Sequence, residues 1–348
     1  MEKLKDIIAM KSNDYTCVAD EFSRQTGRSL MSDNHFEDVN LLSVPVSIVL
    51  PSYRVYEQLP HTLNCLRDQV YKNFEVIVVD DNSNPPLESV VRGVEVDFPI
   101  KYVRIPFNKN RNPNHARNVG LSVSDSSNII LLDSDMIVPR HFTANLGAKM
   151  QYTNGCLFTG FRENIGKRED SQGPADISKD WRHTVVIGES FHNFMPVNIN
   201  GNRDIETPKG VLHILDETNN FKDFGYGRSV AYWDLPAMVI GHCIAFNRDK
   251  AIRSGGFPEL FIKWGIDDIA FGANMVANDQ HIIPSLNTVN HHVVHRSKEY
   301  FQKSLDQLRL NLEKYLHYAR SEYESAFPSF RVKIKGKEAS KIFLEEEI

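Results

Sequence analysis

The sequence predicts an α/β domain: a mostly parallel sheet flanked by helices, continued by an irregular second half and a C-terminal helix. Three observations predict it. Four apolar runs, at residues 46–50, 74–79, 100–105 and 129–132, are rich in β-branched residues and lack polar alternation, as strands covered on both faces do. Segments with helical spacing separate the runs, and alternating strands and helices build parallel sheets. Polar residues follow the runs directly: Ser52 and Tyr53, then Asp80 and Asp81, then Asp133 and Asp135. Parallel sheets place ligands at those strand ends.

Residues 1–43 are polar and mixed, with a short amphipathic helix near residues 4–10. Pro51 ends the first strand. Residues 56–71 carry Leu59, Leu63, Leu66 and Val70 on one helical stripe. Residues 86–92 suit a short helix. Residues 113–123 suit a longer one, with Asn112 as its cap and Pro113 in its first turn. Residues 162–235, rich in Asn, Asp, Gly and Arg, read as long connections that serve as a lid or acceptor platform. Order returns at residues 237–246. A glycine turn at residues 255–258, the WGIDD segment and a histidine cluster come next, then a helix at residues 298–325. The charge-segregated tail reads as a solvated surface. The organisation expected is a 1–43 extension, a 44–136 nucleotide-binding half, a 137–297 acceptor and catalytic half, and a 298–348 helix and tail.

With 41% hydrophobic and 24% charged residues, the 348-residue chain has the composition of a soluble globular protein. A net charge of -5 without clustered Lys and Arg argues against nucleic-acid binding. No apolar run is long enough to span a bilayer. The N-terminus lacks the apolar stretch and cleavage site of a signal peptide. Cys17, Cys65, Cys156 and Cys243 are widely spaced and read as reduced thiols. A cytoplasmic location, free or peripheral at a membrane, is expected.

Five segments carry chemistry. In LLDSDM, Asp133 and Asp135 are separated by one residue at a strand end, so both can reach one hard cation such as Mg²⁺ or Mn²⁺. The plain alternative is a polar surface turn. In VVDDNS, a strand-end carboxylate can accept from a ribose hydroxyl or a base N–H, or simply cap a turn. In HARNVG, Arg117 near a helix start can reach a diphosphate, or be an ordinary surface arginine. In WGIDD, Asp267 and Asp268 follow an aromatic suited to stacking on a sugar and a glycine that admits close backbone approach. Acidic residues opening a helix are the alternative there. In HHVVH, imidazoles at 291, 292 and 295 are candidate metal ligands or structural histidines.

Taken together, VSIVLPSYR, QVYKNFEVIVVDDNS, ARNVG and LLDSDM resemble the family 2 glycosyltransferases of the GT-A fold, in family order across residues 44–136. The segment GGFPELFIKWGIDD is similar to the C-terminal half of galactosyltransferase-type enzymes, with Asp267 where that pattern has Glu. The resemblance implies a UDP-sugar donor with Mn²⁺ or Mg²⁺, and a saccharide, peptide or small-molecule acceptor. It implies that Pro51 and Tyr53 flank the nucleobase, Asp81 binds the base edge, and Asp133 binds the ribose or the metal. Asp135 would coordinate the cation, with His292 or His295 as a further ligand. Arg117 would lie near the diphosphate or donor sugar, and Trp264 would offer its face to a sugar. Asp268 would be the general base, and Asp267 would orient the acceptor or cap the next helix. Such a site performs a single displacement with inversion.

Four other readings compete. A sugar-nucleotide-binding relic would have lost the acidic pairs, which are present. A nicotinamide-dependent oxidoreductase needs a glycine fingerprint where Pro51, Ser52 and Tyr53 stand. A nucleotidyltransferase would carry a glycine- and lysine-rich loop there. A processive polymer synthase would usually add membrane helices or a second catalytic module, so transfer of one sugar is expected.

Overall fold

The computed structural model describes residues 2–11, 13–32, 34–106, 112–165, 235–263, 265–293 and 298–347. The four apolar runs form β1 (Val46–Ser52), β2 (Phe74–Asp80), β3 (Ile100–Arg104) and β4 (Asn128–Leu132). They pair in parallel around a central β1, with Val46 beside Phe74 and Ser47 beside Ile129. Every residue of β2 is buried, which explains its unbroken apolar run.

Helices α1 (Leu4–Ala9), α2 (Thr16–Thr26), α3 (Gln58–Arg67), α4 (Glu88–Gly93), α5 (Pro113–Val123) and α6 (Phe142–Tyr152) belong to the first half. In the second half come α7 (Arg248–Arg253), α8 (Asp267–Ala277) and α9 (Lys298–Arg320). Helix α5 starts as the sequence predicts, with the Asn112 side chain accepting from the Asn114 N–H and Pro113 in the first turn. Helices α3 and α9 end earlier than their apolar spacing suggests.

The remaining strands are β5 (Met136–Ile137), β6 (Cys156–Ile165), β7 (Cys243–Asn247), β8 (His281–Val293), β9 (Val332–Glu338) and β10 (Lys341–Glu346). Among the described residues they complete one sheet in the order β5-β8-β6-β7-β4-β1-β2-β3-β10-β9. Strand β7 runs antiparallel to β4, so β7 begins at the edge where β4 ends. That edge carries the candidate site.

Two expectations change. Residues 162–165 are the end of β6, paired with β8, and not the start of a long connection; residues 166–234 lie outside the described residues. The C-terminal tail is not a solvated end. It is the β9–β10 hairpin, and β10 pairs in parallel with β3. Phe343 is buried there, with the Arg92 guanidinium 3.8 Å from its ring centroid. Charges dominate this segment because β9, at the edge of the sheet, leaves most of its side chains exposed, and its Lys335 meets Glu345 at 3.1 Å.

The first 43 residues also have a structural place. Leu4 is buried with Phe261, Ile266 and Tyr315, beside α8 and α9. The Asn13 side chain donates to the Ile282 carbonyl at 2.8 Å and accepts from the Ile282 N–H at 2.7 Å, closing the backbone of β8 as a strand partner would.

Candidate active site

At the ends of β1 and β2, Tyr53 is half-buried, and the Arg54 guanidinium sits 5.1 Å from its ring centroid. Pro51 is likewise partly exposed. The two aspartates after β2 part company. Asp80 is fully buried and accepts from the Ser83 N–H at 2.8 Å, the Leu87 N–H at 2.9 Å and the Tyr102 hydroxyl at 2.6 Å. It organises the turn. Asp81 is buried beside the end of β1, with its N–H donating to the Ser52 carbonyl at 2.9 Å.

After β4, the Ser134 hydroxyl donates to the Pro51 carbonyl at 3.0 Å, and the Thr62 hydroxyl donates to the Ser134 carbonyl at 2.9 Å. The turn is thereby fixed against the end of β1. It leads into β5, which pairs antiparallel with β8 and sets Met136 opposite His292. The Val293 N–H donates to the Asp135 carbonyl at 3.0 Å. As a result His292 Nε2 lies 3.2 Å from Asp135 Oδ2. Strand alternation turns His291 the other way, into the interior, where burial pushes its pKa down to about 4 and keeps it neutral. His295 lies outside the described residues.

Helix α5 and the segment at residues 257–268 form the third wall. The Asn118 side chain accepts from the Phe257 N–H at 2.9 Å and donates to the Phe257 carbonyl at 2.8 Å. Asn114 Nδ2 donates to the Pro258 carbonyl at 2.7 Å, and its Oδ1 accepts from Arg117 Nη1 at 2.6 Å. Arg117 is buried and ion-paired with Asp267, and its charge is further held by Asp133 and Asp268. Sequence reasoning sends Arg117 toward the diphosphate; the structure commits its Nη1 to Asp267.

The backbone before α8 is strained. Gly265 has φ 100, and a Cβ there would come within 2.6 Å of Leu308. Ile266, β-branched, sits in the left-handed region at φ 70, a costly conformation that the surrounding packing enforces. This bend presents two adjacent carboxylates in different states. Asp267 is buried, takes the Arg117 ion pair and accepts from the Gly265 N–H at 3.0 Å. Asp268 is partly exposed and accepts from the Gly241 and Ile269 N–H groups, each at 2.9 Å. Desolvation, then the neighbouring Asp267 charge, push the Asp268 pKa up to about 6, against the pull of Arg117 and the two N–H groups. Trp264 lies outside the described residues.

Gly241 and His242 are site residues that sequence reasoning missed. The Gly241 N–H reaches Asp268, while the His242 carbonyl accepts from the Asp133 N–H at 3.0 Å. A Cβ on Gly241 would approach Arg117 Nη2 to 2.9 Å and the Asp268 Cβ to 3.4 Å. The only sequence signal was a Gly-His pair opening an apolar run, and it gained meaning once β7 proved antiparallel. Asn114 and Asn118, two polar residues buried on a helix face, belong with them.

A metal can be tested against these residues. Asp135 and His292 offer a hard carboxylate oxygen and an imidazole nitrogen at one strand end; the oxygen suits Mn²⁺ or Mg²⁺, and the nitrogen suits Mn²⁺ better than the oxygen-preferring Mg²⁺. Among the described residues no group of three or more His, Cys, Asp and Glu closes into a metal cage. Small divalent cations that work with phosphates usually take one or two protein carboxylates and complete their shell with phosphate and water.

The fold and this site define an α/β protein with acidic residues gathered at the ends of its parallel strands. Residues 47–253, more than half of the chain, match glycosyl transferase family 2, and the chain belongs to that family. Chondroitin synthase of Escherichia coli is 28% identical over 65% of this chain and 31% of its own length. Chondroitin synthase of Pasteurella multocida is 25% identical over 68% and 23%. The chain therefore spans less than a third of these relatives. The crystal structure of GalNAc-T7 with UDP, GalNAc and Mn²⁺ shares the fold, with a TM-score of 0.51 and 15% identity over 82% of this chain and 50% of that one.

Proposed function

We propose that the protein is an inverting, metal-dependent transferase that moves a single sugar from a UDP-sugar to a hydroxyl of a saccharide, peptide or small-molecule acceptor. One observation carries the reading. Two consecutive residues bind both acidic segments: Gly241 donates to Asp268 and His242 accepts from Asp133. That convergence of the two acidic segments at one edge of the sheet supports a donor side and an acceptor side within reach of each other.

In this reading Pro51 and Tyr53 flank the uracil, Asp81 takes its edge, and Asp133 takes the ribose or the cation. Asp135 and His292 hold Mn²⁺ or Mg²⁺, which when bound neutralises the diphosphate and stabilises it as a leaving group. Asp268 takes the proton of the acceptor hydroxyl. The oxygen then attacks the anomeric carbon opposite the departing UDP, one bond forming as the other breaks, with inversion. Arg117 pairs with Asp267, while desolvation and the adjacent Asp267 carboxylate raise Asp268 to a pKa suited to a base near neutral pH. Trp264, just before the pair in sequence, would stack on the acceptor sugar. The similar fold solved with UDP and Mn²⁺ supports a uridine donor and a divalent cation.

The test needs no acceptor. The protein is incubated with a panel of UDP-, GDP- and dTDP-sugars, with Mn²⁺ or with EDTA, and slow transfer to water is followed by nucleotide release. UDP-sugars with Mn²⁺ should be turned over, and proton NMR of the fresh product should show the anomer opposite to that of the donor. Retained configuration, equal turnover in EDTA, or preference for another nucleotide would overturn the corresponding part of the proposal.

A further inference from the structure

His115 occupies the first turn of α5, two residues before Arg117, and lies between two carboxylates. Its Nδ1 is 3.1 Å from Glu259 Oε2, and its Nε2 is 3.0 Å from both carboxylate oxygens of Glu346. Two acceptors on opposite ring nitrogens require both to carry protons, so the ring is a cation clamped between two anions. Glu259 is further held by the Asn118 side chain, which donates to its Oε1 at 2.9 Å. Glu346 stands at the end of β10, the strand that joins the C-terminal hairpin to β3.

These contacts continue to the carboxylates. Residue 259 follows Pro258, whose carbonyl accepts from Asn114; Asn114 in turn accepts from Arg117 Nη1, and Arg117 pairs with Asp267. The links are one peptide bond and directed hydrogen bonds between groups that are buried or partly so, so a shift of the 257–259 segment is transmitted to Arg117 and the start of α8. The C-terminal hairpin is remote in sequence from all of them, and His115 is its bond to this chain of contacts.

We propose that His115 is a positioning residue: gripped by Glu259 and Glu346, it fixes α5 against the segment that carries Asp267 and Asp268, and so makes the C-terminal hairpin a determinant of where those carboxylates stand. The catalytic consequence rests on the proposed transferase reading; the positioning itself does not.

The experiment compares wild type, His115→Gln, His115→Arg and Glu346→Gln by amide hydrogen exchange and by UDP release from the UDP-sugar that the wild type hydrolyses. In His115→Gln and Glu346→Gln, residues 239–243 and 265–269 should exchange about 10- to 100-fold faster, the scale of one lost charge-assisted hydrogen bond, while β1 and β2 stay unchanged. UDP release should fall about 10- to 100-fold in kcat with the donor KM unchanged, as misplaced reacting groups cause. His115→Arg, which keeps the cation and two donors, should recover most of both. Unchanged exchange at residues 265–269 in both neutral variants overturns the proposal. So does acceleration spread equally over β1 and β2, because the bridge would then hold the whole domain and not the site. A wild type that hydrolyses no UDP-sugar would refute the transferase reading, while the exchange result would still decide the role of His115.

Discussion

His292 Nε2 lies 3.2 Å from Asp135 Oδ2 because β5, two residues long, pairs with β8 and sets Met136 opposite His292. The sequence offers three histidines here, and strand alternation separates His291 from His292. The metal prediction follows from that pairing. Asp135→Ala should abolish the Mn²⁺-dependent part of UDP binding, and His292→Ala should weaken it about 10- to 100-fold, with both proteins folded. Calorimetry with Mn²⁺ and with EDTA measures both, and undiminished affinity in Asp135→Ala would remove the metal assignment.

The two carboxylates before α8 make separate predictions. Asp268→Asn should keep UDP binding and lose about 100- to 10,000-fold in turnover. A base must be ionised to work, so wild-type turnover should rise as pH climbs through about 6, the raised pKa of Asp268. Asp267→Asn removes the adjacent negative charge and should move this acid limb to lower pH. A dead Asp267→Asn beside an active Asp268→Asn would reverse the roles.

The His115 bridge should be visible in stability against pH. The His115 pKa is raised from 6.5 to about 10, burial opposing and the bonds to Glu259 and Glu346 prevailing. A raised pKa contributes stability that is complete below 6.5 and is lost as pH rises through about 10. Glu259, lowered from 4.5 by His115 and Asn118 against its own burial, contributes above 4.5 and loses its share as pH falls further. Wild type should therefore exceed His115→Gln most between pH 4.5 and 6.5, by about 1.5–3 kcal/mol, with the gap narrowing toward pH 10. Denaturant titrations across that range would detect it, and a gap that widens with pH would contradict the bridge.

Phe343 tests whether the C-terminal hairpin is part of the core. It is buried, its ring centroid 5.9 Å from that of Tyr102, and it carries the Arg92 guanidinium on its face. Phe343→Ala should cost about 3–5 kcal/mol, as buried aromatic truncations do. The same change in the exposed Ile334 should cost little. Equal, small effects would return the hairpin to the solvated surface that its charges suggest.

The sequence by itself determined the parallel half of the domain. Buried strands must be apolar along their length, so β1 to β4 are visible as runs, and the polar residues after them mark the strand ends where the candidate site lies. Asn112 and Pro113 announce α5 because capping is a local interaction. Asp80 and Asp81 look alike in sequence, and only the Ser83, Leu87 and Tyr102 contacts show that Asp80 is bound up in the turn.

The tertiary structure alone decided the partners. Which histidine meets Asp135 depends on the register between two strands more than 140 residues apart, and local composition carries no record of register. The pairing of Arg117 with Asp267, and of Gly241 with Asp268, likewise requires α5, β7 and α8 to converge at one edge of the sheet. The hairpin escaped notice because an edge strand exposes most of its side chains and reads as polar surface, while the backbone hydrogen bonds that hold it to β3 leave no mark on the sequence. Local signals specify elements; the chemistry of this site depends on long-range contacts between them, and those exist only once the sheet has closed its order.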